Sequence, residues 1–391
     1  MGKGLTRRKM LLSGLAAGGA AFLGNAFCAS RFLQAREVAP AGSLLKKKTR
    51  GTTINAHAHL PDSGWLKRPP ARYDPKDITA NAIVAYAKKR GIDLSPEDAE
   101  LARERAVRYN EASTLEDHAR IFLAEMDEAG LDLTVLLMID HAFQPGDFGR
   151  QYKVPYEKVL EDVAAMRQRH PGRFITFAGV DPSRGKEGVK LFESAIKDYG
   201  FAGMGEWVTQ QWEVFPNDRE LCYPYYEKCV ELGVPFLNNC EGRFEHCAPG
   251  VFEQVAKDFP QLKICLGGAG RPRPDEERRG IAQTSFPDDA LALAERYENV
   301  YIDMDDWQRR DEEGIRKYLQ HVRRALDCDA RTRVMFGSDY PVFVMLYSEK
   351  EWIEVTVERA EQYGVTFSDE ELELYFSKNA TDYLGLGASS A

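Results

Sequence analysis

Short apolar runs alternate with stretches of helical periodicity from residue 52 to residue 362. Runs rich in Val, Ile, Leu or Phe fall at 52–58, 133–139, 174–180, 201–206, 235–239, 262–266, 300–303 and 334–337. They are apolar at odd and even positions alike, the pattern of parallel strands covered on both faces. Between them, apolar residues recur at three- and four-residue spacing near 114–129, 156–169, 186–198, 218–232, 250–259, 287–297, 311–326 and 348–362. That spacing predicts a helix after every strand. Eight strands each followed by a helix predict an α/β fold, the (β/α)8 or TIM barrel; an open doubly wound sheet is the competing arrangement. No GxGxxG follows the first run, which counts against a dinucleotide site.

The period breaks once. Residues 61–110 separate the first strand from its helix and hold helical stretches near 79–90 and 96–109. A loop leaving the C-terminal end of a barrel strand opens on the catalytic face, so this helical insertion is expected to cover the pocket, with a solvent-facing or oligomer-contact role as the alternative. The chain before residue 52 reads differently. Arg7-Arg8-Lys9 stands directly before the uncharged, Gly- and Ala-rich run 11–27, and a basic linker follows at 31–51. This resembles a twin-arginine export signal and implies a periplasmic protein. The run is near the lower limit for crossing ~30 Å of hydrocarbon, so an uncleaved anchor is the alternative, and membrane contact is expected only in that case.

Composition narrows the partners. With 43% apolar and 29% charged residues, the 391-residue chain has what a packed globule needs. Its formal net charge is −9, and removing residues 1–30, which hold four bases and no acid, would make it four units more negative. Such a surface repels phosphate backbones, so no nucleic acid partner is expected. A small-molecule substrate is, and a homodimer would be ordinary. Six of the seven cysteines lie beyond residue 30 without a CxxC pair, which argues against a thiolate metal site; Cys240 with Cys247 is the pair to test as a disulfide.

Candidate chemistry collects at strand ends. His57-Ala58-His59 closes the first strand, and residues two apart on a strand share a face, so both imidazoles can converge on one cation at the barrel mouth. Phe336-Gly337-Ser338-Asp339-Tyr340-Pro341 closes the last strand, where Asp339 would face His57 and His59 across the seam, bind the ion and take a proton from water. Glu206 ends the fourth strand at the same level and is the fourth candidate ligand, or else a partner to one of the ligands. His141, after the second strand, is a candidate proton donor or substrate contact. His246 reads as a loop residue, and His118, His170 and His321, on helices or helix ends, as structural. Arg271 and Arg273, after the sixth strand, could clamp a substrate carboxylate. Trp207, Trp212 and Trp307 could form an aromatic wall, and Asp303, Asp305 and Asp306, after the seventh strand, stay ambiguous between ligand and structural roles.

These elements together resemble the amidohydrolase-2 family, the branch with aminocarboxymuconate semialdehyde and γ-resorcylate-type decarboxylases as well as true hydrolases. The resemblance runs from about residue 52 to 386. It rests on the HxH, Gly200-Phe201-Ala202-Gly203, Gly233-Val234-Pro235, Phe259-Pro260-Gln261-Leu262-Lys263-Ile264, the GSDYP stretch and Lys378-Asn379-Ala380 with Tyr383-Leu384. It implies a divalent metal, zinc first and manganese second, and hydrolysis of a small amide, ester or lactone. Non-oxidative decarboxylation of an aromatic or unsaturated acid is the first alternative, and a catalytically inactive ligand-binding barrel the second. Two family positions depart. Asn239 stands where relatives carry a strand-five metal histidine, making it a weak ligand or a substrate contact, and Gly268 stands where they carry the strand-six catalytic histidine.

Overall fold

The computed structural model describes residues 43–65, 94–143, 152–241, 245–271, 286–305, 307–308, 311–342 and 346–387. The export segment, the insertion helix expected at 79–90, Arg243, Arg273 and Asp306 lie outside the described residues, as do the side chains of Glu241 and Arg271. The strands are β1 (Ile54–Ala58), β2 (Leu133–Ile139), β3 (Phe174–Gly179), β4 (Met204–Trp207), β5 (Phe236–Glu241), β6 (Ile264–Arg271), β7 (Val300–Asp303) and β8 (Val334–Met335). The helices that alternate with them are α1 (Leu115–Ala129), α2 (Tyr156–Arg169), α3 (Gly185–Lys197), α4 (Tyr223–Leu232), α5 (Phe252–Asp258), α6 (Phe286–Arg296), α7 (Glu312–Asp327) and α8 (Glu349–Val357).

All pairings are parallel, in the orders β1-β2-β3 and β4-β5-β6-β7-β8. The two sheets meet at two seams. One is the bridge Phe177↔Gly203 between β3 and the entry to β4; the other is Ala58↔Tyr340, beside the bonds Ala56 N–H to Phe336 O (2.8 Å) and Asp339 N–H to His57 O (2.9 Å). The strands thus follow one another around the ring expected of a (β/α)8 fold.

Both faces of the strands are dry, which is why the sequence shows runs rather than alternation. Leu133, Val135 and Leu137 of β2 point into the ring, where they meet Ile175, Phe177, Leu237, Tyr301 and Met335. Leu136 and Met138 point outward into the layer under the helices. The C-terminal helix Asn379–Tyr383 plugs the bottom: Ala380 and Tyr383 join the inner cluster, and the Tyr383 hydroxyl donates to Phe236 O at 2.8 Å. Part of the expected linker is ordered against that same end. Helix Leu44–Lys48 buries Leu45, Lys46 pairs with Asp132, and Glu373 accepts the Gly51 N–H at 2.9 Å.

Strand β6 outruns its predicted end at 266 because Gly267-Gly268-Ala269-Gly270 carries no apolar signal yet still pairs with β5, Asn239 opposite Gly267 and Glu241 opposite Arg271. The described insertion helix, Pro96–Glu111, leans on α1 through Arg108 and Glu125 (2.8 Å) and on the chain after β8 through Arg105 and Glu351 (2.6 Å). Cys240 and Cys247 are buried free thiols, as are Cys222, Cys229 and Cys265, so the disulfide expectation does not hold. No described helix is long and apolar enough to cross a membrane.

Candidate metal centre

The pairing of β1 with β2 slips between Asn55 and Ala58, and such an irregularity re-aims the side chains that follow it. His57 enters the lumen. Its side chain lies within reach of Glu206 from β4, Asp303 from β7, and the bare Cα atoms of Gly267 in β6 and Gly337 after β8, contacts that only an inward side chain can make together. His59 sits one level higher, its ring centroid 5.3 Å from that of His57 and edge-on to it. β4 has its own register slip between Met204 and Trp207 and turns Glu206 inward. Asp339 follows β8 with φ of 51°, a left-handed conformation held by its N–H bond to His57 O.

These four side chains meet. Glu206 Oε2 lies 3.9 Å from His57 Nε2 and 3.3 Å from His59 Nε2, and Asp339 Oδ1 lies 3.3 Å from His59 Nε2. One ligand atom each of His57, His59 and Asp339 fall within 4.8 Å of one another. Four ligand atoms placed about 2.0–2.2 Å from a shared ion in a tetrahedron would stand about 3.3–3.6 Å apart, so the spacing suits a cation.

The hydrogen bonds decide which nitrogens are available. His59 Nδ1 is 2.8 Å from the carbonyl oxygen of Leu137, which can only accept, so Nδ1 keeps a proton and Nε2 is the nitrogen left to give up its own to an ion. His57 Nδ1 is 3.1 Å from Asp303 Oδ2, a carboxylate oxygen, with the same result. His57 Nε2 is then a buried nitrogen with no hydrogen-bond partner. A buried polar atom without a partner is costly, and a ligated cation would satisfy it. The residues present therefore fit a divalent ion.

Charge is concentrated to match. Burial would lower the His57 pKa, but Asp305, Asp303 and Glu206 together hold it well above the usual imidazole range. Burial also opposes protonation of His59, and its bonds to Asp339 and Glu206 override it, raising its pKa to about 9. Asp305, at 3.7 Å from His57 Nδ1, is pushed up by burial, and Asp303 adds to the shift. Burial would raise Asp303 as well, but the His57 ring against it holds it down.

Other predicted site residues stand apart. Trp207 does not line the mouth: next to an inward Glu206 it points outward, fully buried against Trp212, Tyr225, Tyr226 and Phe236. Asn239 is at the right strand end, but its Oδ1 accepts a hydrogen bond from Gln210 Nε2 at 2.9 Å. His141 packs edge-to-face on Tyr152, outside the two groups of convergent ligand atoms among the described residues, His57 with His59 and Asp339 and His57 with Asp303 and Asp305. His118 and His321 are buried on α1 and α7, and His170 pairs with Glu116 at 2.8 Å, in line with structural roles. Trp307 is half-buried, stacked on His321, with its indole N–H on Gly268 O at 3.1 Å. Arg271 ends β6, on the catalytic side. Of the three aspartates after the seventh strand that the sequence leaves ambiguous, Asp303 is the one bonded to a lumen imidazole. Its signal was an acid ending a buried apolar strand, the same signal that singled out Asp339.

Comparison with known proteins bears on the fold and the family. No curated protein matches the chain. Among solved structures, 5-carboxyvanillate decarboxylase of Novosphingobium aromaticivorans, complexed with manganese, superposes with a TM-score of 0.52 at 15% identity over 86% of this chain and 96% of its own. A "probable 2-pyrone-4,6-dicarboxylic acid hydrolase" of Acinetobacter baumannii gives 0.54 at 13% identity over 85% and 99%. An amidohydrolase of Burkholderia multivorans gives 0.54 at 15% over 85% and 99%. At these identities the likeness establishes the fold alone. The amidohydrolase family model, however, matches residues 54–386, from the first residue of β1 to the end of the plug beneath the barrel. The chain belongs to the amidohydrolase family of metal-dependent enzymes.

Proposed function

We propose that this enzyme hydrolyses a small, uncharged amide, ester or lactone. The observation that carries the reading is the pair of imidazoles whose Nδ1 atoms are both spent on oxygen acceptors, leaving His57 Nε2 facing Glu206 and His59 Nε2 facing Glu206 and Asp339. His57, His59, Asp339 and Glu206 would hold one divalent ion, zinc or manganese. When bound, that ion supplies Lewis-acid polarisation of a substrate carbonyl and acidifies water. Asp339, beside His59, accepts the proton from the attacking water and returns it to the leaving group, while the barrel wall keeps bulk water out.

Hydrolysis of a neutral substrate is preferred to decarboxylation on electrostatic grounds. Glu206, Asp303 and Asp339 crowd two imidazoles and outnumber the charges of the one divalent ion they would surround, so an anionic aromatic acid would enter a site left net negative. Export to the periplasm is part of the same proposal and is supported by Arg7-Arg8 before the uncharged run 11–27.

The test begins with metal analysis of protein purified without added metal. A bound divalent ion that disappears in the His57→Ala/His59→Ala double variant is expected; an ion retained there, or none in the wild type at saturating zinc and manganese, removes the metal centre. The loaded enzyme is then assayed on lactones, esters and amides, and on hydroxybenzoates with CO2 detection. Turnover of the first set is expected, and CO2 release alone would replace hydrolysis by decarboxylation.

A further inference from the structure

Asp303 has no solvent exposure and, with Asp305, converges on the Nδ1 side of His57 as a second group of ligand atoms, apart from the one formed by His57, His59 and Asp339. Every acceptor position on its carboxylate is engaged. His57 Nδ1 approaches Oδ2 at 3.1 Å, joined there by the Cys265 thiol at 3.6 Å; the Gly268 N–H reaches Oδ1 at 2.9 Å and the Asp305 N–H reaches it at 3.3 Å. A carboxylate survives such burial only when donors replace its water, and these four do so.

The C-terminal part of β6 is shaped to supply one of them. Gly268, Ala269 and Gly270 have φ of 75°, 49° and 71°, three consecutive residues in the left-handed region. That run turns the Gly268 N–H onto Asp303 while its carbonyl takes the Trp307 indole N–H. Neighbouring glycines let the two side chains close up. A Cβ on Gly267 would stand 3.2 Å from His57 Cε1, and one on Gly337 would stand 2.9 Å from His57 Cβ and 3.5 Å from Asp303 Cγ. His57 is gripped on both sides, and its remaining freedom, which nitrogen carries the proton, is settled by Asp303. Asp305 does not share this duty, because its Oδ1 is 3.7 Å from Nδ1 and makes no hydrogen bond.

We propose that Asp303 is the positioning residue of the metal centre, fixing the ring and tautomer of His57 so that Nε2 is the ligand atom, and that the glycine-rich end of β6 exists to hold Asp303. The inference rests on the metal-centre reading above and adds a division of labour to it. At the strand end where relatives carry an imidazole, this chain supports an imidazole on β1 at one remove.

Asp303→Asn tests this in the full-length protein, because neither orientation of the amide satisfies its surroundings. With its oxygen toward His57 the NH2 group meets the Gly268 N–H; with its oxygen toward Gly268 the NH2 group meets the His57 Nδ1–H and favours the tautomer that cannot ligate. Zinc affinity, read by chelator competition, is expected to fall about 10–100-fold, the usual cost of losing a partner that orients a ligand. Affinity unchanged in Asp303→Asn would overturn the proposal. A second readout needs neither metal nor activity. In metal-free protein with 15N-labelled histidine rings, His57 should show a slowly exchanging, downfield Nδ1–H resonance, assigned by its loss in His57→Gln. It should persist in Asp305→Asn and vanish in Asp303→Asn. Its absence from the wild type, which is read even if Asp303→Asn fails to fold, or its survival in Asp303→Asn would also overturn the proposal. A wild type that binds no zinc but shows the resonance would remove the metal-centre reading and leave the His57–Asp303 pair standing.

Discussion

Four histidines, three buried and His59 partly so, occupy two kinds of surroundings in this molecule, and burial alone does not tell them apart. His57 and His59 sit in the lumen among Glu206, Asp303, Asp305 and Asp339, which hold both above the ordinary imidazole range, His59 at about 9. His118 on α1 lies 4.5 Å from the Tyr109 ring, with Nδ1 unpartnered. His321 on α7 is stacked on Trp307, with Nε2 unpartnered. Burial lowers both of these to about 4. The desolvation penalty pushes all four in one direction, and neighbouring carboxylates reverse the outcome for the first pair only. A site meant to hold a cation must keep negative charge close; a wall only has to keep its imidazoles neutral.

The largest expected effect removes that distinction. In a Glu206→Gln/Asp339→Asn variant the two oxygens facing His59 Nε2 lose their charge, so His59 should titrate below its ordinary value of 6.5, as His118 does. Divalent-ion affinity should fall by more than the roughly 100-fold set by losing an orienting partner, since ligands themselves are gone. NMR titration of the His59 ring and equilibrium dialysis with manganese check both halves. A His59 that still titrates near 9 would mean that these two carboxylates do not set its charge.

The wall pair should show itself as acid sensitivity. For a histidine lowered in the folded state, the unfolded chain takes its proton at about 6.5 and the folded one only at about 4, so stability present above pH 6.5 is lost as the pH falls toward 4. Each is worth about 2–3 kcal/mol across that window. Urea unfolding of metal-free protein at pH 7 and pH 4.5 should show the difference shrink in His118→Gln and again in His321→Gln.

The lumen pair carries the opposite sign. Raised values contribute stability below pH 6.5 that disappears as the pH climbs through about 9 for His59, so the metal-free protein should lose melting temperature between pH 7 and 10. Ion binding must displace those protons, so affinity should tighten over the same window by about tenfold per pH unit for each proton released. Zinc affinities measured at pH 6.5, 7.5 and 8.5 in the wild type, compared with Asp303→Asn, separate the contributions of the two rings.

The contrast between the pairs was partly legible in the chain itself. His57 and His59 end a strand and His118 and His321 lie within helical periodicity, so position sorted them before any geometry was known. Asp339 and Glu206 were legible for the same reason, each closing an apolar run. The pairing of His57 with Asp303 was not, because it joins β1 to β7 across the lumen and depends on the register slip between Asn55 and Ala58, which leaves no mark in the apolar pattern. Trp207 was misjudged although its parity was readable: next to an inward Glu206 it had to face the helices. The glycine-rich end of β6 at 267–270 was opaque, since glycines announce backbone freedom without saying which acceptor the freed N–H will find.

The smallest effect concerns Asn239, at the strand end where relatives carry an imidazole. Its Oδ1 is taken by Gln210 Nε2, and both amides are buried, so the pair belongs with the wall histidines rather than with the ion ligands. Gln210→Ala should cost about 1 kcal/mol of stability, the net worth of one buried hydrogen bond, and leave zinc affinity within twofold of the wild type. If Asn239 were instead a ligand oriented by Gln210, that same substitution would weaken zinc binding tenfold or more, and the boundary between wall and centre would have to be moved outward by one residue on β5.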